Sequence, residues 1–133
     1  MKNQILPLFV VAILGCSKPQ LVEQLSAAPE LDKQFQVRVG QSVEIGELQF
    51  TFDSVPEDSR CPKSVLCIWT GNAVVILKFS DGEQRLNSTD GSRTTSHGSY
   101  SIELIQIDPY PETPGTIPTE EYIATLKVTS VVR

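Results

Sequence analysis

The fold is decided by the stretch AVVILKFSDGEQRLN, residues 73–87. Residues 73–79 are almost continuously apolar, and a short run of this kind is typical of a strand that is covered on both faces. The dipeptide Asp81-Gly82 favours a two-residue hairpin turn, so residues 83–87 should return antiparallel to the first strand. The stretch therefore predicts a central strand and its antiparallel neighbour.

The sequence on either side of this hairpin alternates between apolar and polar residues. Side chains two positions apart lie on the same face of a strand, so each alternating run predicts a half-buried strand. Such runs occupy residues 35–39, 43–45, 48–52, 100–107 and 122–132.

Two segments between the strands lack this alternation. Residues 88–98 are rich in Ser, Thr, Asp and Gly and predict a polar loop, and the four prolines of residues 108–119 exclude regular structure there. About seven short strands without a long helical pattern predict an all-β fold. We expect an antiparallel β-sandwich or a small barrel.

Length and charge limit the classes of function. The chain has 133 residues, 40% of them hydrophobic, which suits one globular domain that we place at residues 34–133. Its formal net charge is −5, whereas a general nucleic-acid binder should carry a basic face. The sequence contains no phosphate-binding, zinc-protease or nucleophile-elbow motif. We therefore expect no nucleic-acid partner and no cofactor.

Residues 1–16, MKNQILPLFVVAILGC, combine one basic residue with an apolar run that is too short to span a bilayer. The run ends in Ile13-Leu14-Gly15-Cys16, which resembles the lipobox of bacterial lipoproteins. The resemblance implies a signal peptide over residues 1–15, cleavage before Cys16, and lipid attached to the Cys16 sulfur. Residues 16–33 would then be the lipidated cysteine and a tether.

The lipobox resemblance also implies a location. It places the chain in the bacterial cell envelope, anchored to a membrane, and Ser17 after the cysteine favours the outer membrane, facing the periplasm or the surface. An ordinary secretory signal with an incidental cysteine, or a short buried apolar segment, are the alternatives.

The most unusual internal segment is EDSRCPKSVLCIWTGNA, residues 57–73, which holds both remaining cysteines and the only tryptophan. Its pattern, Asp-Ser-Arg-Cys-Pro followed by Cys-x-Trp-x-Gly, resembles a motif in small bacterial envelope proteins of uncharacterised activity. In an oxidising envelope Cys61 and Cys67 should pair as a disulfide. A redox couple, a zinc site with His97, and a nucleophilic cysteine activated by His97 are the alternatives.

Three residues of this segment are candidates for recognition. Asp58 and Arg60 fit a structural role, in which Asp58 caps the turn and Arg60 forks across a carboxylate or several carbonyl groups. The alternative is an exposed recognition pair beside Trp69. Trp69 itself is expected in the core, packed over the disulfide, with an interface role as the alternative.

These observations favour a non-enzymatic function. We expect a lipid-anchored envelope protein that binds a protein, peptide or glycan, or that serves as a structural accessory module. One alternative is a protein inhibitor that uses the disulfide-braced loop of residues 57–67. Another is an enzyme centred on His97, the only histidine.

The lipid anchor is directly testable. Because Cys16 is the cysteine that directly follows the apolar run, Cys16→Ala should abolish incorporation of a fatty-acid analogue during growth and leave a precursor that escapes lipidation. The measurement is in-gel detection of the analogue beside the mass of the purified chain. Label retained on the Cys16→Ala chain would contradict the assignment.

Overall fold

The computed structural model describes residue 15, residues 28–89 and residues 91–131. The predicted signal peptide, Cys16 and most of the predicted tether therefore lie outside the described residues. Within the described residues, no helix is long and apolar enough to cross a membrane.

The described residues contain eight strands and one short 3₁₀ helix, joined by turns and loops. The strands are β1 (Gln34–Arg38), β2 (Ser42–Ile45), β3 (Leu48–Asp58), β4 (Ala73–Phe79), β5 (Gly82–Asn87), β6 (Thr94–His97), β7 (Tyr100–Asp108) and β8 (Ile123–Ser130). The 3₁₀ helix spans Thr119–Glu121, directly before β8.

The strands form two antiparallel sheets of four strands each. One sheet has the order β1-β8-β7-β6 and the other β2-β3-β4-β5. The sheets pack face to face around one hydrophobic core, so the all-β prediction is confirmed and the architecture is the sandwich.

The period-two pattern of the sequence explains the core. In β1 and β2 the apolar residues are buried and the residues between them are exposed, while β4 is buried at every position except Lys78. The largest fully buried side chains come from both sheets and are Phe52, Leu77, Leu86, Ile102, Leu104, Leu126, Val75 and Val128.

The structure differs from the predicted strands at two places. Strand β6 lies within residues 88–98, for which the sequence predicts a polar loop. It is an edge strand, and its residues Thr94–His97 are exposed or half-buried, so its sequence lacks the apolar alternation of the other strands. Strand β3 continues to Asp58, and register shifts between Phe52 and Glu57 interrupt its pairing with β4. An apolar alternation cannot detect either feature, because neither buries a full face.

The two ends of the sandwich carry different groups. Strand β1 begins beside the last residues of β8, since Gln34 pairs with Lys127 and the amide of Asp32 donates to the carbonyl of Val128. We call this end the base end. Strand β3 runs away from it, so the connection between β3 and β4 lies at the opposite end, the tip end. The chain therefore enters the domain at one end and presents residues 59–72 at the other.

Candidate functional site

The connection between β3 and β4 exposes a cluster of apolar side chains. We call residues 61–71 the tip loop. Leu66 and Ile68 are 102% and 96% exposed, Trp69 is 70% exposed and Val65 is 42% exposed. Scattered single apolar residues on a surface are ordinary, but four within five consecutive positions form a contiguous patch that indicates a contact site.

A disulfide holds this patch away from the core. Cys61 and Cys67 are bonded, with their Cα atoms 6.0 Å apart, which confirms the predicted pairing. The ring between them is short, so residues 62–66 must turn back on themselves and their side chains project outward. The amide of Val65 donates to the carbonyl of Pro62 at 3.1 Å and closes a tight turn within the ring.

Ser59, directly after β3, and Asn72, directly before β4, are joined by hydrogen bonds and form what we call the neck of the tip loop. The amide of Ser59 donates to the carbonyl of Asn72 at 2.7 Å, and the amide of Asn72 donates to the Ser59 hydroxyl at 3.0 Å. Gly71 lies between them with a φ of +72°, and a Cβ there would stand 1.9 Å from the Ser59 carbonyl oxygen. Glycine is therefore required by both backbone conformation and space.

Arg60 secures the tip loop to both sheets. Its guanidinium group is buried and donates through Nε and Nη2 to the two carboxylate oxygens of Asp58, at 2.8 and 2.7 Å. It also donates to the carbonyl oxygens of Ile107 at 2.7 Å and Pro109 at 2.9 Å. Asp58 ends β3 in one sheet and Ile107 lies near the end of β7 in the other, so one side chain links the two sheets.

The Asp58 carboxylate accepts a further hydrogen bond, from the Tyr122 hydroxyl at 2.9 Å. Burial works against ionisation of this carboxyl group, but the hydrogen bonds from Arg60 and Tyr122 outweigh it and hold the pKa of Asp58 below its ordinary value. Burial, together with the hydrogen bond to the ionised Asp58, raises the pKa of Tyr122 to about 12. Asp58 is therefore an ionised structural acceptor at neutral pH.

The proline-rich segment forms a wall beside the tip loop. The Tyr110 hydroxyl donates to the carbonyl of Cys61 at 2.8 Å, and its ring lies 5.3 Å from the Arg60 guanidinium carbon. Lys63 pairs with Glu112 at 2.9 Å, and its amide donates to the carbonyl of Pro111. The proline-rich segment therefore holds the backbone of the tip loop at both Cys61 and Lys63. We call the disulfide, the neck and these contacts the frame of the tip loop.

The sequence-predicted residues have divided roles. Arg60 and Asp58 take the structural role, and burial removes Arg60 from any exposed recognition pair. The expectation that Trp69 packs in the core over the disulfide is wrong: the short disulfide ring and the neck hold it at the surface. The sequence reasoning did not select Val65, Leu66 and Ile68, although apolar residues inside or directly after a ring too small to reach the core were the available signal.

His97 lies at the base end, away from the tip loop. Its ring stacks on Phe79 with centroids 4.1 Å apart, and Nε2 is 3.0 Å from an Asp81 carboxylate oxygen. Since Cys61 and Cys67 are bonded at the tip end, the structure does not bring them together with His97. The zinc and nucleophile alternatives that paired them are therefore wrong. No group of three or more potential metal ligands occurs among residues 15, 28–89 and 91–131.

Replacement of Arg60 should be strongly destabilising. Arg60→Ala leaves the Asp58 carboxylate without its cation in a mostly buried site, so the free energy of unfolding should fall by about 3–5 kcal/mol. Urea unfolding followed by circular dichroism measures this fall. Lys63→Ala is the matched control, because it removes an exposed cation of the same region. Equal losses in the two variants would contradict the role of Arg60.

Asp58 should make the free energy of unfolding decrease as the solution becomes acidic. Because its pKa is lower in the folded chain, ionised Asp58 stabilises the fold above the ordinary value of 3.8, and this contribution is lost as the pH falls from there through the folded-state pKa. Asp58→Asn should therefore be less stable at neutral pH and lose less stability on acidification. Urea unfolding at a series of pH values tests this, and an unchanged acid dependence would refute it.

Removal of the disulfide should cost less than removal of Arg60. Closing so short a ring stabilises by about 2 kcal/mol in the chain-entropy treatment, so the double variant Cys61→Ser, Cys67→Ser should still fold. The melting temperature and urea midpoint measure the loss. The control is a titration of free thiols in the chain without substitutions, denatured in the absence of reductant. Two free thiols would contradict the bond, because the Cys16 sulfur is expected to carry lipid.

No protein-family model matched the chain, and searches of curated proteins and of solved structures found no match. A proposal about function therefore depends on the chain's own residues, and above all on the tip loop.

Proposed function

We propose that this chain is a lipid-anchored, non-enzymatic docking module of the bacterial cell envelope. In this proposal the lipid on Cys16 holds the chain at a membrane, residues 16–33 tether the domain, and the tip loop makes the contact with a partner. The resemblance of Ile13-Leu14-Gly15-Cys16 to a lipobox supports the anchor.

The exposure of the tip loop is the observation that carries the proposal. Burying a large apolar side chain that was exposed to water is worth about 1.5–3 kcal/mol. Leu66, Ile68 and Trp69 together therefore offer enough free energy for a specific contact, and tryptophan is among the residues that most often dominate an interface. The side chains of Leu66 and Ile68, at 102% and 96% exposed, bury almost no apolar surface within the domain.

The rigidity of the frame supports the same function. The disulfide, the neck hydrogen bonds and buried Arg60 order the loop before any partner binds. A contact element that is already ordered loses less conformational entropy on binding than a flexible one. The charged groups beside the apolar residues are engaged in pairs, Arg60 with Asp58 and Lys63 with Glu112, which suits a docking surface more than acid–base chemistry.

The exposure of the tip loop also supports the alternative that the chain is a protein inhibitor. A projecting loop braced by a disulfide has the shape that an enzyme cleft receives, so the exposure of Leu66 and Ile68 supports an inhibitor as a second candidate. The two candidates differ in their partner and use the same residues.

A photo-crosslinking residue tests the proposal in the producing cell. Placed at Ile68 it should give discrete adducts, because the tip loop would lie against the partner. Placed at exposed Glu83, in the hairpin at the base end, it should give none of the same adducts. Leu66→Ser should reduce the Ile68 adducts by removing a neighbouring contact. Adducts from Glu83 and none from Ile68 would overturn the tip loop as the contact element.

A further inference from the structure

We propose that the tip loop docks into the interfacial region of the same membrane that holds the lipid anchor. The inference rests on the proposed function, because the anchor is what places the domain beside a bilayer. It goes further in committing the loop to lipid headgroups and the upper acyl chains as its occupant, with a protein partner as the competing outcome.

The shape of the tip loop favours a deformable occupant. With exposures of 102% and 96%, Leu66 and Ile68 have no face covered by the rest of the protein. A folded partner would need a separate pocket for each of these projecting side chains. A bilayer accommodates them without a complementary shape, and binding there scales with the apolar area that is buried. Trp69, beside them and nearer the neck, is of the residue type enriched at membrane interfaces.

The backbone of the tip loop sets the depth. Within the described residues, the amides of Leu66, Ile68 and Trp69 donate to no backbone carbonyl. Such groups are costly in hydrocarbon, where nothing replaces water, but the headgroup region offers phosphate and ester oxygens as acceptors. The Lys63–Glu112 ion pair stands beside the apolar residues and also belongs in a polar layer. The loop should therefore enter the interface and stop short of the bilayer centre.

Charge distinguishes this contact from electrostatic adsorption. The whole chain has a net charge of −5, and Lys63, an exposed cation within the tip loop, is paired with Glu112. Anionic lipids therefore should not attract the domain, and attraction by apolar burial should be insensitive to salt. We therefore expect docking to mildly anionic vesicles to be no stronger than docking to zwitterionic ones.

The chain between the anchor and the domain is long enough for this geometry. Strand β3 has 11 residues and runs from the base end to the tip end, a distance of about 35 Å at ~3.3 Å per residue. Residues 16–33 can extend to about 60 Å at most. A domain tethered at its base end can therefore lie on its side or invert, so that the tip loop reaches the membrane surface.

The single tryptophan makes the contact measurable without a label. Because Trp69 is the only tryptophan, all tryptophan emission of the chain reports on the tip loop. The full-length chain would be expressed in a bacterial host, purified in detergent, and reconstituted into phosphatidylcholine vesicles with and without phosphatidylglycerol. One lipid set would carry bromine near the carbonyl end of the acyl chain, and another near the methyl end. Flotation of the vesicles reports the anchor, and quenching by bromine reports the tip loop.

The double variant Leu66→Ser, Ile68→Ser is the matched control, since both side chains are fully exposed and Trp69 is retained. For the native chain we expect a shift of emission to shorter wavelength and stronger quenching by bromine near the carbonyl end. The double variant should lose both effects and become accessible to iodide in water, while it still floats with the vesicles.

The remaining outcomes separate the two proposals. A native chain that floats, with Trp69 unquenched by bromine and open to iodide, would overturn docking to the membrane and leave a protein as the partner. A native chain that floats while the double variant stays in solution would support the tip loop and refute the lipid anchor. Failure of both chains to float would overturn the lipid anchor and the membrane docking together.

Discussion

The buried guanidinium of Arg60 is the group on which the tip end depends. At this end its side chain connects the two sheets, because it bonds a carboxylate at the end of β3 and carbonyl groups near the end of β7. A buried charge is tolerable only when its donors are satisfied, and Asp58, Ile107 and Pro109 satisfy those of Arg60. The planar fork of arginine makes these bonds at once, which lysine could not do.

This arrangement has a consequence for the residues that follow. Arg60 is held between the two sheets, and Ser59 is bonded to Asn72. The chain therefore leaves the sandwich and returns to it at one narrow place, the neck. The disulfide then closes a ring too small to fold back onto the core. Leu66 inside that ring, and Ile68 and Trp69 between the ring and the neck, therefore have no interior to enter and face solvent. Their exposure follows from the same contacts that stabilise the frame, and it is why the loop can serve as a contact element.

The two ends of the domain are chemically distinct. The base end receives the chain at Gln34 and carries polar groups such as the His97–Asp81 pair. The tip end carries the apolar patch and the buried ionic cluster. The position of β1 in its sheet sets this polarity, because β1 pairs antiparallel with β8 and begins at the base end, at Gln34.

The sequence by itself determined the class of fold, most of the strands and the disulfide. Apolar residues at every second position state which face of a strand is buried, and two cysteines so close in the chain have few other partners. It also indicated a structural role for Asp58 and Arg60. Only the tertiary structure decided that Arg60 is buried, that Trp69 is exposed, and that His97 lies far from the cysteines. Those outcomes depend on which strand ends meet across the two sheets, and hydrophobic periodicity carries no information about distance between segments that are remote in the chain. The edge strand β6 escaped detection for a related reason, since its pairing with β7 uses backbone hydrogen bonds that every residue can make.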